Sequence, residues 1–114
     1  MQYMLMIYGT EGAMTKEDGA KMMSAYTSYT EAMKKAGAFV AGDPLQSSST
    51  ASTVRMKDGK SKVLNGPYAE SKEQLGGYYV IEAKDVDAAI GWAAKCPGAQ
   101  HGTIEVRPIM AYSM

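Results

Sequence analysis

The stretch that decides the fold runs from residue 76 to residue 98 and reads GGYYVIEAKDVDAAIGWAAKCPG. Its first part, Gly76–Ala83, is rich in aromatic and β-branched residues, which favour a β-strand. Asp85 follows, and aspartate commonly caps the first turn of a helix. The apolar residues of the predicted helix recur at helical spacing and are halted by a Pro-Gly pair: Val86, Ala89, Ile90 and Ala93, then Pro97-Gly98. The stretch therefore predicts a strand that leads directly into a capped helix.

The same strand and helix pattern occurs at the start of the chain. The apolar run Tyr3–Tyr8 predicts a buried strand. Thr15 is the predicted N-cap of a helix, with Asp18 in the place of the capping-box acid, and Gly37 is the predicted stop. The apolar stripe of this helix consists of Met22, Tyr26, Tyr29, Met33 and Ala36, broadened by Met23 and Thr30. We interpret the stripe as core packing.

The middle of the chain predicts a short strand, a loop and a hairpin. Residues 38–41 predict a strand, and the low-complexity segment 46–52 predicts a mobile loop. Thr53–Met56 and Ser61–Leu64 flank an Asp-Gly pair, which is a strong signal for a β-hairpin. Thr103–Ile109 predicts the last strand.

This order of elements predicts an α+β fold. When the hairpin is treated as an insertion, the rest reads βαββαβ, the ferredoxin-like arrangement, in a single domain over residues 1–114. The two helices cover one face of an antiparallel sheet. Residues of both parities are apolar in Tyr3–Tyr8, so the other face of the sheet also needs a cover. We therefore expect a homodimer.

Composition excludes several classes of function. The 12 basic and 12 acidic residues cancel, so no broad basic surface predicts binding to nucleic acid or to an anionic membrane. The chain has one cysteine, Cys96, and one histidine, His101, which is a poor inventory for a metal site. No phosphate-cradling glycine motif precedes a helix, and we expect no cofactor. A single cysteine and the lack of a signal peptide or membrane span predict a cytoplasmic protein.

Charged residues on predicted strands are the first candidates for a site. Arg55 and Arg107 are the only arginines, and both fall on strands, where they could pair with a carboxylate. Glu105 is two residues from Arg107, so both point to the same face of the strand. One interpretation is that Arg107 only forms an ion pair with Glu105 or Glu70. The alternative is direct contact of these residues with a ligand.

The turn at residues 64–73, LNGPYAESKE, is the second candidate. Pro67 rigidifies it, and Gly66 permits an unusual backbone angle, so the carboxylate of Glu70 could be held in a fixed position. A charged run after a turn is commonly just a solvated loop edge, which is the simpler interpretation.

Several of these motifs together resemble a known family. NGPYAESKEQLGGYYVIEAKDVDAAIGWAAKCPG followed by IEVRPI, with AGDPLQ and TVRMKDG upstream, resembles the YCII-related family, in its subgroup named for an Asp-Gly-Pro-Phe motif. The resemblance covers nearly the whole chain. It implies a ferredoxin-like fold that dimerises as an α/β barrel. It also implies a possible functional link to extracytoplasmic-function sigma factors.

The wider family includes a dehydrochlorinase that acts on a chlorinated hydroxyquinol-type aromatic, with a proposed His–Asp active site whose histidine lies in the first helix. This chain departs from the pattern at two points. Asn65 and Tyr68 stand where the subgroup has Asp and Phe, and residues 15–37 contain no histidine. Asparagine suits a turn but cannot act as a carboxylate base.

The sequence thus leaves two functional hypotheses open, beside a third, structural interpretation in which the motif at residues 64–73 only shapes the dimer. One is an enzyme with acid–base or lyase-type chemistry on a small aromatic or polar substrate, bound in a pocket at the dimer cleft. Glu70 is then the candidate catalytic residue, and the candidate substrate-binding residues are Arg55, Asn65, Tyr68, Glu105 and Arg107. The other is a ligand-binding or regulatory protein without catalysis, associated with a sigma-factor system.

Overall fold

The computed structural model describes residues 1–12 and 14–111. In chain order the elements are β1 (Gln2–Gly9), α1 (Lys16–Lys35), β2 (Phe39–Pro44), a 3₁₀ turn (Ser48–Thr50), β3 (Ser52–Lys57), β4 (Lys60–Asn65), β5 (Gln74–Glu82), α2 (Val86–Lys95), a second 3₁₀ turn (Pro97–Gln100) and β6 (Thr103–Pro108).

The main sheet has four antiparallel strands in the order β2-β5-β1-β6, and β3 pairs with β4 in a separate two-stranded sheet. Without the β3–β4 hairpin this is the strand order of the split βαβ, or ferredoxin-like, fold. The predicted fold class is therefore confirmed.

Local signals explain why the helices begin and end where they do. The Thr15 hydroxyl accepts a hydrogen bond from the Asp18 amide at 3.1 Å, and the Asp85 carboxylate accepts one from the Ala88 amide at 2.9 Å. Both predicted N-caps are confirmed. Gly37 has φ of 73°, and the amide after it bonds to the carbonyl of Met33, which closes α1 as predicted.

The core lies between the helices and one face of the main sheet. Tyr3, Leu5 and Ile81 are buried on that face, opposite Tyr29 and Met33 of α1. The stripe of α1 is therefore partly core, as predicted, but Met23 and Ala36 were wrongly included: 74% of Met23 is exposed, and Ala36 is an exposed C-cap beyond the end of the helix. The error arises because α1 packs along only part of its predicted apolar face.

The opposite face of the main sheet has no helix, and we call it the open face. In the register of the strands, Met4 lies between Val80 and Arg107, and Met6 lies between Tyr78 and Glu105. The two methionines are half-buried. The open face is thus apolar along its centre and polar towards β6.

The β3–β4 hairpin turns at Asp58 and Gly59, which have φ of 52° and 77°. Positive angles at both central residues are what a two-residue hairpin turn requires, and the Asp-Gly prediction is confirmed. The segment predicted as a mobile loop contains the 3₁₀ turn Ser48–Thr50, whose first turn is capped by Ser47. Within the described residues neither helix is long and apolar enough to cross a membrane.

Candidate functional site

A cleft of about 850 Å³ lies between α1 and the β2–β5 side of the main sheet, and we call it the α1 cleft. Its lining is Ile7, Gly9, Thr10, Glu11, Gly19, Met22, Met23, Tyr26, Thr27, Thr30, Glu31, Lys34, Phe39, Gly42, Asp43, Pro44, Gln74, Gly76, Gly77, Tyr78 and Tyr79. Small residues on the strands keep this cleft open. A Cβ atom on Gly42 would lie 2.6 Å from Cδ1 of Tyr79, so the bare backbone lets the Tyr79 ring lie flat against β2.

Aromatic rings form the inner wall of the cleft. The rings of Tyr79 and Phe39, which both line the cleft, meet edge to face with centroids 6.3 Å apart, and Tyr29, outside the lining, packs edge to face against Tyr79 at 5.5 Å. Such edge-to-face packing is the favoured geometry for aromatic pairs. Lys34 lies over the Phe39 ring at 5.3 Å. The cleft therefore offers an apolar aromatic surface with a cation at its edge.

Hydroxyl groups supply the polar side of the same wall. The hydroxyls of Thr30 and Tyr79 are 2.7 Å apart and share a hydrogen bond. Burial raises the pKa of Tyr79, because a phenolate would lose its hydration there. Tyr79 is therefore a neutral phenol at neutral pH, able to donate or to accept.

Tyr26 joins α1 to the end of α2. Its hydroxyl accepts a hydrogen bond from the Gly98 amide at 3.1 Å and lies 3.5 Å from the Cys96 sulfur. Burial, followed by the hydrogen bond with Cys96, raises the pKa of Tyr26. Cys96 is 1% exposed and packs as a small apolar residue at the end of α2. No hydrogen bond joins Cys96 to His101 in the described part of the chain.

A second cleft, of about 1180 Å³, lies on the other side of α1, against Trp92 and the 3₁₀ turn Pro97–Gln100. The two clefts share six lining residues: Ile7, Gly9, Thr10, Met22, Tyr26 and Gly76. Among residues 1–12 and 14–111 no three or more His, Cys, Asp or Glu side chains cluster as metal ligands would.

Three carboxylates line the α1 cleft, and they differ in what holds them. Glu11 accepts hydrogen bonds from the amide and hydroxyl of Ser48, and Asp43 accepts one from the Tyr78 hydroxyl at 2.7 Å. Glu31 accepts no hydrogen bond from the residues that the structure describes. It is therefore the carboxylate of the cleft whose lone pairs are open to a ligand.

Hydrogen-bond partners shift the pKa values of Glu11 and of Tyr78, the partner of Asp43. Hydrogen bonds from the hydroxyl and then the amide of Ser48 lower the pKa of Glu11. The hydrogen bond to Asp43, and then the charge of Asp43, raise the pKa of Tyr78. Asp43 and Tyr78 are cross-strand partners, so this pair lies towards the open face at the edge of the cleft.

The candidate residues predicted from the sequence lie in separate places. Arg55 donates to the Tyr68 hydroxyl at 3.3 Å and lies over its ring at 5.4 Å, on the exposed hairpin side. Asn65 ends β4 opposite Ser52. None of these residues lines either cleft.

Arg107 and Glu105 form an ion pair on the open face. This is one of the two pairings predicted for Arg107. Glu70 is exposed and forms no ion pair with either arginine among the described residues. The functional roles of the six residues remain predictions.

The turn at residues 64–73 is held by neighbours that the sequence did not indicate. Gly66 has φ of 132°, the unusual angle expected of it. The Gln74 side chain donates to the carbonyls of Ala69 and Ser71 at 2.9 and 3.0 Å. Glu73 accepts from the Thr103 hydroxyl at 2.8 Å. Glu73 and Gln74 therefore fix the turn, and Glu70 is presented outward.

Sequence reasoning also did not indicate that Glu31, Thr30 and Tyr79 line a cleft. Their helical or strand spacing indicated only packing, and no local motif marks them. The nearest signal in the sequence was Thr30, a polar residue that lies within the apolar stripe of α1.

Comparison with known proteins supplies the family. The YCII-related domain matches residues 1–113. The uncharacterized protein R00369 of Rhizobium meliloti (strain 1021) is 32% identical over 117 residues, covering 98% of this chain and 94% of that protein. The solved structure of 5-chloro-2-hydroxyhydroquinone dehydrochlorinase (TftG) from Burkholderia phenoliruptrix AC1100, in complex with 2,5-dihydroxybenzoquinone, has the same fold. The TM-score is 0.57 at 15% identity, over 96% of this chain and 94% of that one. This chain therefore belongs to the YCII-related family.

Proposed function

We propose that this protein binds a small, planar, hydroxylated ring compound, a phenol or a quinone, in the α1 cleft. The observation that carries the proposal is the composition of the cleft: about 850 Å³ walled by the rings of Phe39 and Tyr79, with the Thr30 and Tyr79 hydroxyls at the same wall. Pockets for small molecules are commonly about 300–1,000 Å³, mostly apolar, with a few polar groups that orient the ligand.

The hydroxyl pair suits a phenol or a quinone. Thr30 and Tyr79 each carry one donor and two acceptor lone pairs, so they can turn to match either a ligand hydroxyl or a carbonyl oxygen. The dehydrochlorinase of the same fold supports this ligand class, since its structure holds 2,5-dihydroxybenzoquinone. Lys34, beside Phe39, adds a positive charge that favours an ionised phenol.

Glu31 is the residue that we propose accepts a proton from the bound phenol. It projects from α1 into the lining of the cleft, and its carboxylate has no hydrogen-bond partner among the described residues. In that step the O–H bond of the ligand breaks, a carboxylic acid forms on Glu31, and the phenolate stays bound. A carboxylate within hydrogen-bond reach of the transferred proton is the requirement for such a general base.

Binding is tested by titrating 2,5-dihydroxybenzoquinone and hydroquinone into the full chain in a calorimeter. Thr27 lines the cleft from α1, and Thr27→Trp should raise the dissociation constant at least about tenfold by filling it. Ser24→Trp is the matched control, because Ser24 is exposed on the same helix and lines neither cleft. If wild type binds neither compound, or both variants bind like wild type, the proposal is wrong.

The role of Glu31 is tested against that of Glu70. We expect Glu31→Gln to abolish the shift of the absorption spectrum of bound hydroquinone that marks phenolate formation, and Glu70→Gln to leave that shift unchanged. The opposite result would support Glu70, the catalytic candidate predicted from the sequence. Chromatography of the recovered ligand then separates binding from turnover.

The homodimer also remains a proposal, and the open face is its proposed interface. The half-buried methionines Met4 and Met6 border the Glu105–Arg107 ion pair there, and a second copy would cover both. A pocket at that dimer cleft, as predicted from the sequence, would place Arg107 beside a ligand. Met6→Lys should turn a dimer into a monomer in light scattering, whereas Met23→Lys on the exposed side of α1 should not. A monomeric wild type would contradict this.

The non-catalytic alternative keeps the ligand and omits the proton transfer. It is favoured if the recovered ligand is unchanged while its binding raises the melting temperature. Its link to a sigma-factor system and its cytoplasmic setting stay predictions from the sequence.

A further inference from the structure

The β3–β4 hairpin stands apart from the rest of the chain. Its strands pair only with each other, and every residue of β4 and all but Thr53 of β3 are exposed. Its base is tied by two hydrogen bonds, from the Gly66 amide to Ala51 at 2.7 Å and from the Thr53 hydroxyl to Gly66 at 2.8 Å. An isolated two-stranded hairpin is marginally stable in water. The hairpin as it stands therefore lacks a stabilising partner.

One face of the hairpin is apolar and open to solvent. Val54 lies opposite Val63, and Met56 follows two residues along the same face. The exposed fractions of Val54, Val63 and Met56 are 58%, 63% and 68%. Contiguous exposed apolar side chains of this kind mark an interaction surface.

The other face of the hairpin is basic. Arg55 lies opposite Lys62, and Lys57 lies opposite Lys60. Like charges directly opposite each other destabilise a strand pair. The one acid of the hairpin is Asp58 at the turn, so residues 52–65 carry a net charge of +3. Because the whole chain has a net charge of zero, the remainder carries −3.

We propose that the hairpin is an arm that docks on a second copy of this chain. The net charges have opposite signs, +3 on the arm and −3 on the rest of the chain, so the arm and the partner's body attract each other. The apolar face of the arm and the uncovered open face of the body both need burial, and a second copy satisfies both. The radius of gyration, 16.1 Å, also exceeds the value of about 13 Å expected for a compact chain of this length, as a projecting arm would make it.

The arm extends the open-face dimer proposed above, on which it rests. It adds a specific role for residues 52–65 in assembly and makes association depend on charge. The inserted hairpin then contributes to the interface rather than to the cleft, which lies wholly within one copy.

The test is sedimentation equilibrium of the full chain over a range of salt concentrations. We expect the wild-type dimer to weaken as salt rises, because the attraction between arm and body is screened. Val54→Ser with Met56→Ser, and separately Lys57→Glu with Lys60→Glu, should each raise the dimer dissociation constant at least about tenfold. The matched control is Lys16→Glu with Lys84→Glu, which changes the net charge equally at exposed positions outside the arm and should not raise the constant by more than about twofold, because it leaves the arm unchanged and makes the body more negative. Circular dichroism checks that each variant is folded.

The outcomes separate the two proposals. If the wild type dimerises and the arm variants associate as tightly as it does, the arm is wrong while the open-face dimer stands. If the wild type is monomeric at every concentration, the proposed role of the arm and the proposed dimer are both wrong. The proposal of ligand binding in the α1 cleft is not affected by that result. Retention of a monomeric wild type on heparin or on phosphatidylserine vesicles, lost in Lys57→Glu with Lys60→Glu, would assign the basic face to another polyanion and overturn the proposal.

Discussion

The shared hydrogen bond of Thr30 and Tyr79 is expected to couple α1 to the main sheet, and a double-mutant cycle measures that coupling. Tyr79 is 8% exposed, and its hydroxyl lies 2.7 Å from that of Thr30. Thr30→Val keeps the shape of the side chain and removes this partner, so it should lower the free energy of unfolding by about 1–3 kcal/mol, the cost of a buried hydroxyl without its bond. Tyr79→Phe removes the buried hydroxyl itself and should cost less, about 0.5–1.5 kcal/mol.

The double variant should lose little more unfolding free energy than Tyr79→Phe alone, because no buried hydroxyl is then left unpaired. The coupling energy should then nearly equal the loss of unfolding free energy in Thr30→Val alone, about 1–3 kcal/mol. Urea unfolding, followed by circular dichroism at one protein concentration, gives all four values. Thr27→Val is the control, since Thr27 is exposed and bonds only to the Met23 carbonyl of its own helix. If the losses of unfolding free energy in the two single variants add up to that of the double variant within about 0.5 kcal/mol, the two hydroxyls do not cooperate and the reasoning is refuted.

Two further predictions concern loop contacts and glycines. Glu11→Gln should destabilise the chain by weakening the contact with Ser48. Because the pKa of Glu11 is lowered in the folded state, its stabilising contribution is complete above the ordinary value of 4.5 and is lost as pH falls through the folded value. The unfolding curves of wild type and variant should therefore converge in acid, and a pH-independent difference between them would contradict this. Gly102→Ala should destabilise by at least about 1 kcal/mol, because a Cβ there would lie 2.1 Å from the Tyr8 carbonyl oxygen. Gly91→Ala, in α2 with no atom within 4 Å of the new Cβ, should instead stabilise by roughly 0.5–1 kcal/mol in the same urea assay, and equal effects at the two glycines would rule out the steric explanation.

The fold was predictable because its decisive signals are local. Thr15 and Asp85 cap helices through amides three residues away, and Asp58 with Gly59 sets a two-residue turn. Each of these depends on a few consecutive residues, so the order of elements follows from the printed sequence. The alternation of apolar residues then assigns the faces of the strands.

The candidate site was less predictable because its contacts join distant residues. Ser48 is 37 positions from Glu11, and Thr103 is 30 positions from Glu73. No spacing rule anticipates such pairs. Met23 was misassigned for a related reason: helical periodicity defines a face, but it does not say how much of that face another element covers.

The ring of Trp92 gives the fold a built-in optical reporter. It is the single tryptophan of the chain, and its centroid lies 6.1 Å from that of Tyr29, which in turn touches the Tyr79 ring that walls the α1 cleft. Excitation absorbed by these tyrosines passes readily to a tryptophan at such short range. A quinone seated against Tyr79 would intercept that energy and dim the emission, so occupancy of the cleft can be followed in the unlabelled protein.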